Sequence, residues 1–215
     1  MQIRQAFKAI EYVFDRAEEY NLDTDRVVLA GESAGAYFAA FISAITVNGE
    51  LYDELGIDFK YRDSFRVGSA VLLNGAYNMQ NMFDTKFANM MTFMCAYTGK
   101  SRKQMAELRG GEYLDSISPV NYINADFPPC VVITGKLDPL LSEGVLFAEK
   151  LGVCAVDYFY YMGKGIISLH ASAIMLKSGA AKKCLRLTQK FVFEHIGLKG
   201  ETGKTYGLTG DYTEV

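Results

Sequence analysis

The chain has 215 residues, of which 50% are hydrophobic and 22% are charged, proportions typical of a globular domain with a sizeable core. Its formal net charge of -3 argues against nucleic acid or an anionic membrane surface as the main partner. No apolar run is long enough to cross a bilayer, and charges interrupt residues 1–20, so we expect neither a transmembrane segment nor a signal peptide, and a cytoplasmic location by default.

The first part of the chain alternates helical and strand patterns. Apolar residues recur every three or four positions over residues 2–20 and predict an amphipathic helix. The segment 26–30, which is apolar after Arg26 and shows no polar alternation, predicts a strand buried on both faces, as in a parallel sheet. The alanine-rich segment 34–47 predicts a helix that lies close to the sheet and ends at Asn48-Gly49. Residues 50–64 are charged and irregular, and we expect a solvated connection there.

A second buried strand is predicted over residues 67–73, ending at Asn74-Gly75. It leads into a Met- and Phe-rich helical insertion at about 76–116, in which Ser101 is expected to be the N-cap of one helix. Methionines at helical spacing indicate either plain core or, because the region follows the end of a strand, the wall of an apolar substrate pocket.

The last part of the chain repeats the alternation. Strands are predicted over residues 130–134 and 156–161, and helices over 142–151 and 180–195. Residues 200–215 are polar and glycine-rich, and we expect a loose tail.

Strands that alternate with helices predict an α/β fold, a doubly wound and mostly parallel sheet with right-handed crossovers. We find no internal repeat and no second domain, so residues 1–199 are expected to form one domain. The four cysteines contain no Cys-x-x-Cys pair, which predicts buried free thiols and neither disulfides nor a metal site.

The segment Gly31-Glu32-Ser33-Ala34-Gly35 joins the first predicted strand to its helix and matches the Gly-x-Ser-x-Gly nucleophile elbow. Ser33 is expected at the tip of a strained turn. Gly31 and Gly35 are expected to leave room where a Cβ would crowd the strand and the helix. The backbone N–H of Ala34, at a helix N-terminus, can donate to a developing oxyanion.

A serine nucleophile needs a base within hydrogen-bond reach, and the base needs an orienting acid. Asp138 and His170, like Ser33, each follow the C-terminal end of a predicted strand. Because these ends meet at one edge of a parallel sheet, we expect the three side chains to lie together. The chain order Ser, Asp, His is that of the α/β-hydrolase arrangement.

Other titratable residues are alternatives or supports. His195 lies in the last turn of a helix, where a structural role at the carbonyl end is expected. Asp157 starts a strand and therefore lies at the wrong edge, whereas Glu143 is the reserve acid. Glu32, beside the nucleophile, is either a spacer or a supporting acceptor behind the catalytic side chains.

Taken together, these residues make the chain resemble the C-terminal two-thirds of an α/β-hydrolase of the hormone-sensitive-lipase-like esterase group. The resemblance covers roughly residues 5–195, and its matching segments are Asp25 to Gly35, Ser118-Pro119, Phe127 to Leu140, and His170-Ala171. It implies that Ser33 is the nucleophile, Asp138 the acid and His170 the base. The implied activity is hydrolysis of carboxylic esters of short or medium acyl chain, with no cofactor and no metal.

The chain departs from that family at three places. Ala36 stands where a further glycine is usual, and the lead-in from Gly163 to His170 is longer. No His-Gly or Gly-Gly precedes Ser33, so the family's His-Gly-Gly-Gly oxyanion motif and the first strands are expected to be missing. We therefore expect either a truncated chain or one completed by another, and an open sheet edge that favours a homodimer.

Two alternative functions remain open at this stage. The same three side chains could hydrolyse an amide or a formamide. A hydrolase fold without its oxyanion loop could instead be a catalytically deficient binding or dimerisation module.

Overall fold

The computed structural model describes residues 2–175 and 178–198, so the predicted tail at 200–215 lies outside the described residues. The helices are α1 (Gln2–Phe14), α2 (Ala34–Val47), α3 (Glu50–Glu54), α4 (Met90–Thr98), α5 (Arg102–Leu108), α6 (Glu112–Ser116), α7 (Leu141–Val153) and α8 (Gly179–His195). The strands are β1 (Val27–Glu32), β2 (Val67–Leu73), β3 (Cys130–Gly135) and β4 (Tyr158–Gly163). Within the described residues, no helix combines the length and the apolar character that a membrane span needs.

The four strands form one parallel sheet in the order β1-β2-β3-β4. Their C-terminal ends are level, because Glu32 lies opposite Leu73, which in turn lies opposite Ile133. On the far side of β3, Gly135 lies opposite Gly163. The predicted parallel α/β sheet is confirmed, and the loops that follow the four strands share one edge.

Helices cover both faces of the sheet at its centre, where β3 is buried along its whole length, which explains why that strand is apolar without alternation. On one face α1, α2 and α7 pack around a core that includes Ala70, Leu72, Cys130 and Val132. On the other face α8 packs on alternate strand residues, so that Phe191 and Val192 join Val71, Val131, Ile133 and Phe159.

The prediction of a solvated connection over residues 50–64 is wrong. α3 begins this segment, and Leu51, Tyr52, Ile57 and Phe59 are all buried in the main core. Phe7 of α1 packs against Tyr52 and Phe59 at ring-centroid distances of 5.4 and 5.0 Å. Because charged residues separate these apolar side chains in the sequence, no regular period revealed their burial.

The insertion after β2 is helical, as predicted, and consists of a 3₁₀ turn at Asn81–Phe83 followed by α4, α5 and α6. Ser101 caps α5 in a capping box. Its hydroxyl accepts from the N–H of Gln104 at 3.3 Å, and the Gln104 side chain accepts from the Ser101 N–H at 2.9 Å. The predicted N-cap is therefore confirmed.

Candidate active site

Ser33 occupies the tight turn between β1 and α2. Its backbone has φ 56° and ψ -117°, a conformation that non-glycine residues rarely adopt and that the surroundings must hold in place. The Ser33 N–H donates to the carbonyl of Leu73 at 2.8 Å, and the Ser33 carbonyl accepts from the N–H of Tyr37 at 3.1 Å. Ala34 is the first residue of α2, so its N–H lies at a helix N-terminus.

The two glycines of the elbow differ. A Cβ on Gly31 would lie 2.1 Å from the backbone carbonyl of Gly35, which no real structure tolerates. A Cβ on Gly35, however, would meet nothing within 4 Å. The expectation that both glycines relieve crowding is therefore wrong for Gly35. The Gly35 backbone lies where a side chain of residue 31 would stand, whereas no atom lies where a side chain of residue 35 would stand.

His170 lies on the loop that follows β4. A 3₁₀ turn at Gly165–Ile167 takes up the longer lead-in. The N–H of Leu137 donates to the carbonyl of Ser168 at 2.8 Å, and a Cβ on Gly135 would lie 2.3 Å from that same oxygen. The loop thus rests directly on the end of β3, and this close approach requires a glycine at Gly135.

The structure brings together the three residues selected from the sequence. His170 Nε2 lies 3.0 Å from Ser33 Oγ, and His170 Nδ1 lies 2.9 Å from Asp138 Oδ2. The Asp138 side chain is fully buried, and its other oxygen accepts from the N–H of Leu140 at 2.7 Å. One imidazole therefore joins a hydroxyl to a buried carboxylate, the geometry that proton transfer from a serine requires.

Asn74 is a member of this group that the sequence analysis did not select. It follows β2 with a left-handed φ of 50°, and its N–H donates to the carbonyl of Ile133 at 2.8 Å. Its buried side-chain amide donates to Asp138 Oδ2, the oxygen that faces His170. The sequence signal that could have identified Asn74 was its position directly after β2, the strand that pairs with β1.

Glu32 faces the same imidazole from the elbow itself. Its Oε1 lies 3.2 Å from His170 Nε2. Burial raises the pKa of Glu32, the nearby Asp138 charge adds to that rise, and the charge of His170 opposes it. A carboxylate at this position stabilises the charged imidazolium more than the neutral ring.

The remaining titratable candidates lie elsewhere. Glu143 is buried and turned towards the loop after β2, and its contacts are with that loop instead of His170. His195 ends α8, where its Nδ1 lies 2.8 Å from the carbonyl oxygen of Phe191 and its Nε2 lies 3.6 Å from Asp157. Among the described residues, no cluster of three or more His, Cys, Asp or Glu side chains is arranged to hold a metal ion.

An apolar cavity of about 390 Å³ opens beside Ser33 and Ala34. Its walls come from α2 and from the insertion after β2, and they include Tyr37, Phe38, Met79, Met82, Phe87, Met90 and Met94. The Phe87 ring also packs edge-on against the His170 ring, with centroids 4.7 Å apart. Met79, Met82 and Met94 belong to the buried core and line the cavity at the same time. The core interpretation of these residues is therefore confirmed, and whether the cavity takes substrate stays a prediction.

Comparison with known proteins adds sequence relatives. The BD-FAE family model matches residues 1–151. An acetyl esterase from Salmonella paratyphi A is 26% identical over 185 residues, which make up 80% of this chain and 52% of that protein. Esterase LipQ from Mycobacterium tuberculosis is 28% identical over 162 residues, which make up 70% of this chain and 35% of that protein. The chain thus spans about half, or less, of the length of these relatives.

Solved structures with the same fold are also esterases. Esterase B from Lactobacillus rhamnosis matches with a TM-score of 0.69 at 18% identity, over 88% of this chain and 59% of its own. Carboxylesterase Cest-2923 from Lactobacillus plantarum matches with a TM-score of 0.68 at 17% identity, over 93% of this chain and 69% of its own. At these identities the likeness supports the fold alone.

Proposed function

The chain belongs to the BD-FAE family of α/β-hydrolase esterases, and from that premise we propose that it hydrolyses carboxylic esters with Ser33, His170 and Asp138 as a catalytic triad. The observation that carries the proposal is the single imidazole of His170, which lies 3.0 Å from the Ser33 hydroxyl and 2.9 Å from the buried Asp138 carboxylate. A cavity of about 390 Å³ beside Ser33 gives the apolar part of an ester a place to bind.

The reaction follows from this geometry. Ser33 Oγ attacks the ester carbonyl carbon while His170 Nε2 takes its proton, and Asp138 holds the imidazolium through Nδ1–H. The Ala34 N–H donates to the oxyanion of the tetrahedral intermediate. His170 then gives its proton to the departing alkoxide, leaving an acyl group on Ser33. A water molecule, deprotonated by His170, attacks that acyl group and releases the carboxylic acid and the free Ser33 hydroxyl.

Hydrolysis of p-nitrophenyl esters tests the proposal. We expect Ser33→Ala and His170→Ala to lower kcat by at least about a thousandfold, since such side chains act as one unit. His195→Ala is the matched control, because the second histidine of the chain lies at the end of α8, and it should retain activity. A Ser33→Ala variant that hydrolyses the ester at the wild-type rate would overturn the assignment.

Within this proposal, residues 1–199 act as one domain and the insertion at 76–116 is the substrate wall. The methionines that it places around the cavity can pack against an acyl chain, because their unbranched side chains adapt to the shape of a ligand, and the acyl chain that we propose is short or medium. Rates with a series of acyl chain lengths measure that preference directly.

The same triad could act on an amide or a formamide, since acyl transfer from nitrogen uses the same attack and the same proton return. Parallel assays with a p-nitrophenyl ester and the matching p-nitroanilide separate the two reactions. The ester proposal predicts much faster turnover of the ester, and preferential cleavage of the anilide would replace it.

The open edge of β1 favours a second role in self-association. β1 pairs with β2 on one side, and in the described part of the chain no strand pairs with its other edge. Exposed strand edges pair readily with other chains, so we propose a homodimer through β1. Light scattering during size-exclusion chromatography should give twice the monomer mass, and a monomer at high concentration would exclude it.

A further inference from the structure

Glu143 lies in the first turn of α7 and is 1% exposed, although it carries a carboxylate. Oε2 accepts from the backbone N–H groups of Tyr77 and Asn78 at 2.9 and 2.7 Å. Oε1 accepts from the side-chain amide of Asn81 at 2.8 Å. A single buried side chain therefore takes three hydrogen bonds from one loop, residues 74–83, which follows β2.

The opposite side of that loop faces the cavity beside Ser33. Met79 and Met82, each next to a residue that donates to Glu143, line the cavity. The Met79 N–H donates to Ser118 Oγ at 2.8 Å. Hydrogen bonds to Glu143 and Ser118 thus hold the loop on one side, while Met79 and Met82 form part of the apolar wall of the cavity on the other.

The turn from Asp138 to Glu143 also holds the start of this loop. Asn74 donates to Asp138, so two carboxylates five positions apart in the sequence bind the same loop, Asp138 at its first residue and Glu143 at later residues. One of them serves the proposed triad, whereas the other has no contact with His170. A buried carboxylate is costly unless its acceptors are used, which indicates that the loop, and through it the cavity wall, is what Glu143 holds.

The size of the cavity indicates what the wall accommodates. A volume of about 390 Å³ is many times that of a single methyl group, which is close to the volume of about 30 Å³ that one water molecule takes up in the liquid, so a linear apolar chain has room beside Ser33. The methyl group of an acetyl ester occupies only a small part of that space. Substrate contact with Met79 and Met82 therefore matters for longer chains.

We propose that Glu143 is a specificity-determining positioning residue, which holds loop 74–83 so that the cavity beside Ser33 binds a linear apolar chain of the ester. This inference rests on the proposed function for its catalytic readout. The apolar chain belongs either to the acyl group or to the alcohol, and both have the same chemistry.

The test compares short and long substrates in matched variants. p-Nitrophenyl acetate is the short ester, p-nitrophenyl octanoate carries the long chain on the acyl side, and octyl acetate carries it on the alcohol side. The variants are Glu143→Ala, Glu143→Gln, Asn81→Ala and, as a control, Glu149→Ala, an exposed glutamate on the same helix.

Glu143→Ala should raise KM for one eight-carbon ester about tenfold more than it raises KM for the acetate, a difference comparable to losing contact with about two methylene groups. Glu143→Gln should retain the wild-type KM, because its amide oxygen still accepts from the loop N–H groups and its NH₂ can donate to a reversed Asn81 amide. Asn81→Ala, which removes one of three hydrogen bonds, should give a smaller increase. The ester that responds identifies the side on which the chain binds.

An equal loss on p-nitrophenyl acetate and on both eight-carbon esters, a loss in kcat alone, or no loss on either eight-carbon ester would overturn the proposal. Octanoate binding measured by calorimetry needs no turnover and separates the two proposals. If wild type lacks Ser33-dependent hydrolysis, the proposed function fails. The role of Glu143 then stands only if octanoate binds about tenfold more weakly to Glu143→Ala than to wild type and equally well to Glu149→Ala. Should Glu143→Ala not fold, Asn81→Ala must bind octanoate measurably more weakly than wild type.

Discussion

Asn74 donates its side-chain amide hydrogen to the same oxygen of Asp138 that faces Nδ1 of His170. Asp138 receives a further hydrogen bond from the N–H of Leu140 at 2.7 Å on its other oxygen. Asn74 follows β2, which pairs with β1, the strand that leads into Ser33. The loops after β1, β2, β3 and β4 thus all contribute to one hydrogen-bonded group at one edge of the sheet.

Replacing Asn74 with alanine should lower kcat by about tenfold to a hundredfold, because a hydrogen bond to a charged, buried group contributes about 1.5–3 kcal/mol. The carboxylate would lose a donor and rotate away from His170 Nδ1. Steady-state hydrolysis of a p-nitrophenyl ester measures the effect. Asn121→Ala is the control, since the Asn121 amide donates to a backbone carbonyl on the surface. Equal rates for the two variants would show that Asn74 does not orient Asp138.

The meeting of Ser33, Asp138 and His170 follows from sequence because each comes after a strand, and parallel strands end at one edge. The direction of a side chain within a loop follows no such period. Asn74 therefore went unselected, and Glu143, expected as a reserve acid, turns towards the loop after β2.

Burial was predictable where apolar residues recur regularly, as in α2 and β2, and was missed where they do not. Tyr52 and Phe59 are buried among charged neighbours in a segment predicted to be solvated. Charges such as Asp53 and Arg62 pair with each other on the outside of that segment at 2.9 Å. The aromatic residues within this charged segment were the sequence feature that could have predicted its burial.

Replacing Glu32 with glutamine should lower kcat/KM at high pH by about two- to fivefold, the range that about 0.5–1 kcal/mol gives for a partly exposed ion pair. Ionised Glu32, 3.2 Å from His170 Nε2, stabilises the imidazolium that forms when Ser33 loses its proton. Because the pKa of Glu32 is raised by burial, the wild-type side chain becomes neutral as the pH falls through that raised value. The ratio of wild-type to variant rates should then approach unity, and a ratio independent of pH would contradict this role.

The two elbow glycines should respond in opposite ways to alanine. Gly31→Ala places a Cβ 2.1 Å from the Gly35 carbonyl and should lower the free energy of unfolding by about 1–3 kcal/mol, the usual cost of overpacking. Gly35→Ala meets nothing within 4 Å and should leave stability unchanged or raise it by up to about 1 kcal/mol, because alanine favours a helix. Urea unfolding of both variants checks the contrast. Similar losses in the two would contradict the asymmetric packing.

Glu143→Gln should change how stability depends on pH. Burial raises the pKa of Glu143 in the folded protein above the ordinary value of 4.5, against the opposing effect of its hydrogen bonds. The folded state therefore favours the protonated side chain, and its contribution to stability is lost as the pH rises through the folded pKa. Glutamine does not titrate, so the free energy of unfolding of the variant relative to wild type should increase as the pH rises above the ordinary value of 4.5 and through the raised pKa of the folded protein. A difference that stays constant or decreases would contradict the direction of this pKa shift.

The central claim is that Ser33 is a nucleophile activated by His170. Intact-mass and peptide analysis after incubation with a p-nitrophenyl alkylphosphonate tests it most directly, because a single covalent step on the hydroxyl is recorded without turnover. We predict one phosphonyl group per chain on Ser33, none in Ser33→Ala, and much slower labelling in His170→Ala than in His195→Ala. Labelling at another residue, or labelling that persists in Ser33→Ala, would contradict the account.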